Sequence, residues 1–262
     1  MAFSPKQRRA MLWWMPGGAD AGYEAIVCDG AVRSGKTLAM GLGFFLWAGA
    51  TFRGRRFALC GKTIGALRRN VLTELLPRLR ELGAVIRERR SENRLTVKLG
   101  GHSNDFYLFG GRDEAAAGTI QGMTLAGVLM DEVALMPRSF VEQACARCSV
   151  SGAKLWFSCN PEGTEHWFYK EWVCQPKKHN AIRLHFLLED NPSLSQRIVD
   201  RYKSMYTGVF YNRYILGEWC VAEGLVYDFG EENITDEIPK NGEYFVSIDY
   251  GTLNPFSAGL WC

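Results

Sequence analysis

Short apolar runs alternate with longer stretches of helical period along the first 160 residues. Residues 23–28 read as a buried strand, and residues 38–50 are apolar on all sides, as expected of a helix at the centre of a domain. A second short buried strand is expected at 56–60. Leu67, Val71, Leu72, Leu75, Leu76, Leu79 and Leu82 then recur at helical spacing, with Pro77 expected to bend that helix. Residues 84–99 read as a hairpin turning near residues 91–93. Further strands are expected at 105–109, 125–130 and 154–158, with a helix at about 137–148 between the last two. Strands interleaved with helices predict an α/β fold with a mostly parallel central sheet flanked by helices.

The character of the chain changes near Leu187. Residues 191–196 (Asn-Pro-Ser-Leu-Ser-Gln) are turn and helix-cap sequence, followed by an amphipathic helix to Met205 and a second at about 209–216 that Gly217 stops. Residues 228–242 are polar and acidic and read as a linker, after which strands begin at Tyr244 and Ser257. The expected organisation is one domain at 1–186, a small helical linker subdomain at 187–240, and at 241–262 the start of a further domain too short to build its own core.

Composition narrows the possibilities. With 262 residues and 47% apolar content, the chain can bury one large core. Its uncharged stretches fall short of the roughly 20 residues that span a bilayer, and its N-terminus has no hydrophobic signal core. Eight scattered cysteines, several in expected core strands (Cys28, Cys60, Cys159), fit a reducing cytoplasm. Cys145 and Cys148 lack a second pair or nearby histidines and read as helix packing rather than a zinc site. Net charge is only +3, but residues 51–100 hold thirteen Lys or Arg against four Glu, a local excess of +9 against −6 elsewhere. Such a basic segment, which includes Arg53, Arg55, Arg56, Arg68, Arg69, Arg87, Arg89 and Arg90, suits a phosphate backbone or a solvated face.

The candidate chemistry starts at Gly30-Ala31-Val32-Arg33-Ser34-Gly35-Lys36-Thr37, which lies between the first strand and the apolar helix. This is a P-loop in the context that confirms it: backbone N–H groups and the helix N-terminus face phosphate oxygens, Lys36 reaches the β- and γ-phosphates, and Thr37 ligates Mg²⁺. The apolar strand ending in Asp131-Glu132 supplies the second half of an ATPase. Asp131 holds the Mg²⁺ shell, and Glu132 orients and deprotonates the attacking water. Ser158 and Asn160 follow another strand, where an amide can sense the γ-phosphate. Arg33 is a candidate cis-acting arginine finger, and Arg112 a weaker one acting on a neighbouring subunit. Gln7 is placed to read an adenine edge, with Trp13 and Trp14 assigned to packing.

These residues together resemble the large subunit of the tailed-phage terminase. The resemblance rests on residues 3–7 (Phe-Ser-Pro-Lys-Gln), the P-loop, residues 128–132 ending in Asp131-Glu132, and residues 158–163 (Ser-Cys-Asn-Pro-Glu-Gly). It also takes in residues 214–219 (Tyr-Ile-Leu-Gly-Glu-Trp), 222–226 and 246–251. It implies a P-loop ATPase domain with an additional catalytic glutamate, a helical linker, and a C-terminal nuclease of RNase H-like fold. By the resemblance, Lys36, Thr37, Asp131 and Glu132 carry Mg²⁺-dependent ATP hydrolysis, Ser158 and Asn160 couple it to DNA movement, and Arg33 is a finger. Asp249 matches the first metal-binding aspartate of the nuclease. The implied partners are double-stranded DNA, a small terminase subunit, a portal and further copies in a ring, in the cytoplasm of an infected or lysogenic bacterial host. A two-metal nuclease needs further carboxylates beyond Asp249, and the expectation is therefore a chain that hydrolyses ATP and does not cut DNA. Two other readings share the P-loop. One is a helicase or remodelling ATPase, which calls for a second ATPase-like lobe. The other is a nucleotide-gated assembly module with little turnover.

Overall fold

The computed structural model describes residues 3–221, 241–249 and 257–262. Helix α1 (Pro5–Leu12) opens with a capping box: Gln7 N–H donates to Ser4 Oγ, and Ser4 N–H donates to Gln7 Oε1. The hydrophobic pattern does not predict α1, because its sequence is mostly polar and only the cap marks it. Strand β1 (Ala25–Gly30) is buried throughout and leads through a loop into α2 (Lys36–Thr51), most of which is buried. Strand β2 (Arg56–Gly61) precedes α3 (Ile64–Leu67), a π-helical turn (Arg68–Leu72) and α4 (Thr73–Glu81). Pro77 sits inside α4, but the interruption of the α-helical ladder lies a turn earlier, at the π-helical segment.

The expected hairpin is β3 (Val85–Arg89) and β4 (Arg94–Leu99), turned by Asn93 at φ 47°. Strand β5 (His102–Gly110), α5 (Ala117–Ile120), β6 (Gly127–Asp131), α6 (Arg138–Ala146) and β7 (Lys154–Ser158) follow. A π-helical turn (Tyr169–Val173) then leads to β8 (Ala181–Phe186), a strand the sequence pattern does not predict. Helix α7 (Gln196–Met205) and α8 (Gly208–Tyr211) come next; the latter continues as a π-helical turn (Asn212–Leu216) and stops at Gly217, φ 71°.

Eight strands form one sheet in the order β3-β4-β5-β2-β6-β7-β1-β8. Pairing is parallel from β5 to β8, and the β3–β4–β5 end is antiparallel. Alternate residues feed two cores, as a doubly covered sheet requires. Ile26, Phe57, Leu59, Leu129 and Trp156 face a core shared with α2, where Phe44 packs edge-on against Phe57 and Trp156. Trp13 joins this core edge-on to Trp156. Val27, Ala58, Val128, Met130 and Phe157 face the other core, with Phe140, Phe168 and Trp172. The α/β fold with a mostly parallel, helix-flanked sheet is therefore the one found.

Residues 1–223 belong to one compact unit and residues 224–262 to a second. In the second, β9 (Phe245–Asp249) and β10 (Ser257–Trp261) pair antiparallel. The linker segment at 228–240 lies outside the described residues. No helix among the described residues is long and apolar enough to cross a membrane.

Candidate functional site

Because β1, β6 and β7 run parallel and adjacent, the residues following them meet at one edge of the sheet. Gly30 ends β1 at φ 127°, and a Cβ there would fall 2.0 Å from Phe186 O, so glycine is required. The loop then turns through Arg33 (φ 57°) and Gly35 (φ 79°) into α2, whose N-cap has no side-chain hydrogen bond. Two amides hold this loop from outside: Gln7 Nε2 donates to Ser34 O (2.9 Å) and Asn191 Nδ2 to Arg33 O (2.7 Å). Gln7 is 3% exposed, and its Oε1 is engaged by the capping box.

Lys36 is buried, and its ammonium donates to Asn160 Oδ1 (2.7 Å), Ala31 O (2.9 Å) and Gly30 O (3.3 Å). Burial lowers its pKa, against the attraction of nearby acidic groups including Asp131 and Asp29. Thr37 Oγ1 and Ser158 Oγ both donate to Asp131 Oδ1, at 2.9 and 2.7 Å. The register of β6 against β7 places Asp131 opposite Ser158. Burial raises the Asp131 pKa, while the two hydroxyls and Lys36 oppose the rise. Glu132 leaves the strand in left-handed backbone (φ 57°, ψ 47°). Its pKa is raised by burial and by repulsion from Asp131, with Lys36 and Lys62 opposing.

A cavity of about 680 Å³ at this edge is lined by Gln7, residues 32–37, Asp131, Glu132, Ser158 and Asn160. Gly30 and Ala31 shape the loop without lining the cavity, and Arg33 is exposed in its wall. Arg112 is exposed and is not part of the wall. Asp249, the last residue of β9, belongs to the second unit.

Sequence reasoning misses several wall residues: Arg69, Asn70 and Glu74 on one side, Asn191, Ser193 and Leu194 on another. The first group straddles the π-helical turn, a feature with no sequence signature. The second lies in a recognisable cap sequence, but only the tertiary fold brings it to the P-loop. The basic segment is partly neutralised. Arg68 pairs with Glu88, Arg89 with Glu92, Arg90 with Glu88, and Arg94 with Glu92 and Asp105.

The family model for the terminase large subunit, T4likevirus-type, N-terminal, matches residues 27–234. Among solved structures, the chain is similar to the large terminase of a thermophilic bacteriophage, at 48% identity and a TM-score of 0.83, covering 100% of this chain and 65% of that one. It is similar to the same terminase in complex with ADP (47% identity, TM-score 0.82, 99% of this chain and 65% of that one). The complex with ATP-γ-S gives 48% identity and a TM-score of 0.81, over 99% of this chain and 64% of that one. The chain thus spans about 65% of the length of that terminase. No curated protein matches it.

Proposed function

The chain belongs to the terminase large subunit family of the T4likevirus type, and from that premise we propose that it is an ATP-hydrolysing subunit of a motor that moves double-stranded viral DNA into a procapsid. The observation that carries this reading is the convergence of Lys36, Thr37, Asp131, Glu132 and Asn160 on one cavity at the edge of a parallel sheet. The thermophilic phage terminase, about half identical to this chain, was solved with ADP and with ATP-γ-S.

Each residue then has a role set by its place. The uncapped turn of α2 and the Lys36 ammonium bind the β- and γ-phosphates. The Thr37 hydroxyl and, through water, Asp131 would hold Mg²⁺, a hard-oxygen donor set that suits this ion. When bound, the ion neutralises charge on the phosphates. Glu132 accepts a proton from water as its oxygen attacks the γ-phosphorus and ADP departs. Arg33, exposed in the wall, neutralises charge on the transferred group. Gln7 lines the cavity and braces the P-loop through Ser34; with its Oε1 held by Ser4 N–H and its Nε2 by Ser34 O, its role is to support the loop rather than to read an adenine edge. Phosphate contact competes with Asn160 for Lys36, and release of that amide passes the hydrolysis state to the loop after β7. The working organisation we propose is an ATPase domain at 1–186, a linker subdomain at 187–240, and from 241 the start of an RNase H-like domain bearing Asp249. Its partners are DNA, a portal, a small subunit and further copies in a ring, inside the bacterial host.

Steady-state ATPase activity of wild type and Glu132→Ala, with and without double-stranded DNA and over a range of protein concentrations, tests the reading. Turnover that rises with DNA or concentration and collapses in the variant is expected. Nucleotide binding without turnover under every condition would overturn the motor reading for this chain.

A further inference from the structure

Residues 214–219 stand out in the sequence, yet none of them lines the nucleotide cavity. In the fold they close behind the P-loop. Val32 N–H donates to Tyr214 O (3.0 Å). Gly217, at φ 71°, lies so close that a Cβ would sit 2.7 Å from Ala31 N and 2.8 Å from Gly30 Cα. The Trp219 indole N–H donates to Asp29 Oδ2 (2.9 Å), the carboxylate immediately before Gly30. The same Asp29, 0% exposed, receives Arg183 through Nε (3.0 Å) and Nη2 (2.7 Å). The Trp219 ring also stacks on Tyr169 at 5.0 Å, and Cys220 N–H donates to Glu162 O (3.3 Å) in the segment that follows Asn160.

From these contacts we infer that Trp219 and Asp29 form a latch through which the 214–219 segment sets the conformation of the P-loop, making Trp219 a positioning residue for nucleotide binding. The latch fixes residues 29–32, while residues 32–37 line the cavity. A loop with glycines at φ 127° and 79° has many alternatives to sample, and each tie removes some of them. A ligand that binds one loop conformation sees its affinity scaled by the population of that conformation. Release of the latch therefore weakens nucleotide binding. It acts less on the chemical step, whose carboxylates stand at the end of β6, where Asp131 is held instead by Thr37 and Ser158. By reciprocity, nucleotide in the cavity tightens the 214–219 segment.

The inference rests on the reading of the cavity as a nucleotide site, and the experiment separates the two. ATP-γ-S binding is measured by calorimetry on wild type and on Trp219→Phe, which deletes the N–H and keeps a ring against Tyr169. Loss of a hydrogen bond to a buried charge should raise the Kd and the KM for ATP about tenfold, with kcat falling by less than KM rises. An unchanged Kd in a variant that melts like wild type overturns the latch and leaves the nucleotide site standing. Wild type that binds no ATP-γ-S overturns the site itself, and the latch with it. Backbone hydrogen exchange on wild type provides a second reading that needs no variant. Exchange at 214–219 should slow when ATP-γ-S is added, and equal rates with and without it would overturn the latch.

Discussion

At the scale of single residues, Glu132 combines strain and charge. Left-handed backbone costs a residue other than glycine on the order of 1 kcal/mol, and here it aims a carboxylate out of the strand beside Asp131. Replacing Glu132 with Gln should lower turnover by about 10²- to 10⁴-fold, the usual contribution of a positioned base, while ATP-γ-S still binds. The melting temperature should stay at or above that of wild type, because a half-buried charge next to Asp131 has been removed. Only the deprotonated carboxylate accepts a proton, and burial with Asp131 repulsion raises its pKa. The acid limb of kcat against pH should therefore have its midpoint above the ordinary value of 4.5, and an acid limb at or below that value would remove Glu132 as the base. Asp29 titrates in the opposite sense. Burial alone would raise its pKa, but His185, Arg183 and Trp219 bring it down to about 2, from an ordinary 3.8. Its contribution to stability is complete above about pH 4 and is lost as pH falls through 2. Arg183→Met should move the acid unfolding transition, followed by circular dichroism, to higher pH; an unmoved transition would mean that the ion pair does not stabilise the fold.

At the scale of elements, the P-loop is held by α1, which lies closely against α2. A Cβ on Gly43 would sit 2.5 Å from Met11 O, so the backbones approach closely only because that position is glycine. Gly43→Ala should push α1 away at a cost of about 1–3 kcal/mol. Because α1 carries Gln7, which braces Ser34 O, the same change should weaken ATP-γ-S binding as well as lower the melting temperature. A variant with a lower melting temperature but an unaltered Kd would show that α1 does not brace the P-loop. What the sequence reveals follows the same division. β1, β2, β6 and β7 are legible because strands covered on both faces must be apolar runs. β8 is not such an apolar run: Arg183 and His185 alternate with its apolar residues and face a buried partner, Asp29, that no local pattern announces. The P-loop, Asp131 and Ser158 can be found as motifs because their chemistry is local to strand ends. Arg69, Glu74 and Ser193 reach the cavity from elements whose placement only the tertiary fold decides.

At the scale of the whole molecule, the basic segment divides between two edges of the sheet. Arg89 and Arg90 lie at the hairpin turn and are already paired with Glu92 and Glu88. Arg53, Arg55 and Arg56 are exposed at the start of β2, the edge opposite the cavity, and form no ion pair among the described residues. Their turn is held firmly. Buried Asn104 accepts from Arg55 N–H (2.9 Å) and donates to Ala48 O and Phe52 O, while Gly54 N–H donates to Ser103 O (2.8 Å). Three guanidinium groups on a fixed turn, with no ion pair among the described residues, would bind phosphates without first breaking one, so they should release more counterions per residue than Arg89 and Arg90. If DNA is the substrate of the motor, the slope of log K against log salt for a double-stranded duplex should fall by about 2–3 when Arg53, Arg55 and Arg56 are all changed to Ala, at roughly one unit per phosphate contact. Arg89→Ala with Arg90→Ala should change it by less than about 1, because these two side chains are already engaged by Glu92 and Glu88, which keep Arg94 and Arg68 as partners in the double variant. Equal slopes for the triple variant and wild type would place the DNA elsewhere on the molecule. A larger effect from the hairpin pair would place it at the cavity edge, where nucleotide and DNA sites would be neighbours rather than separated by the length of the strands.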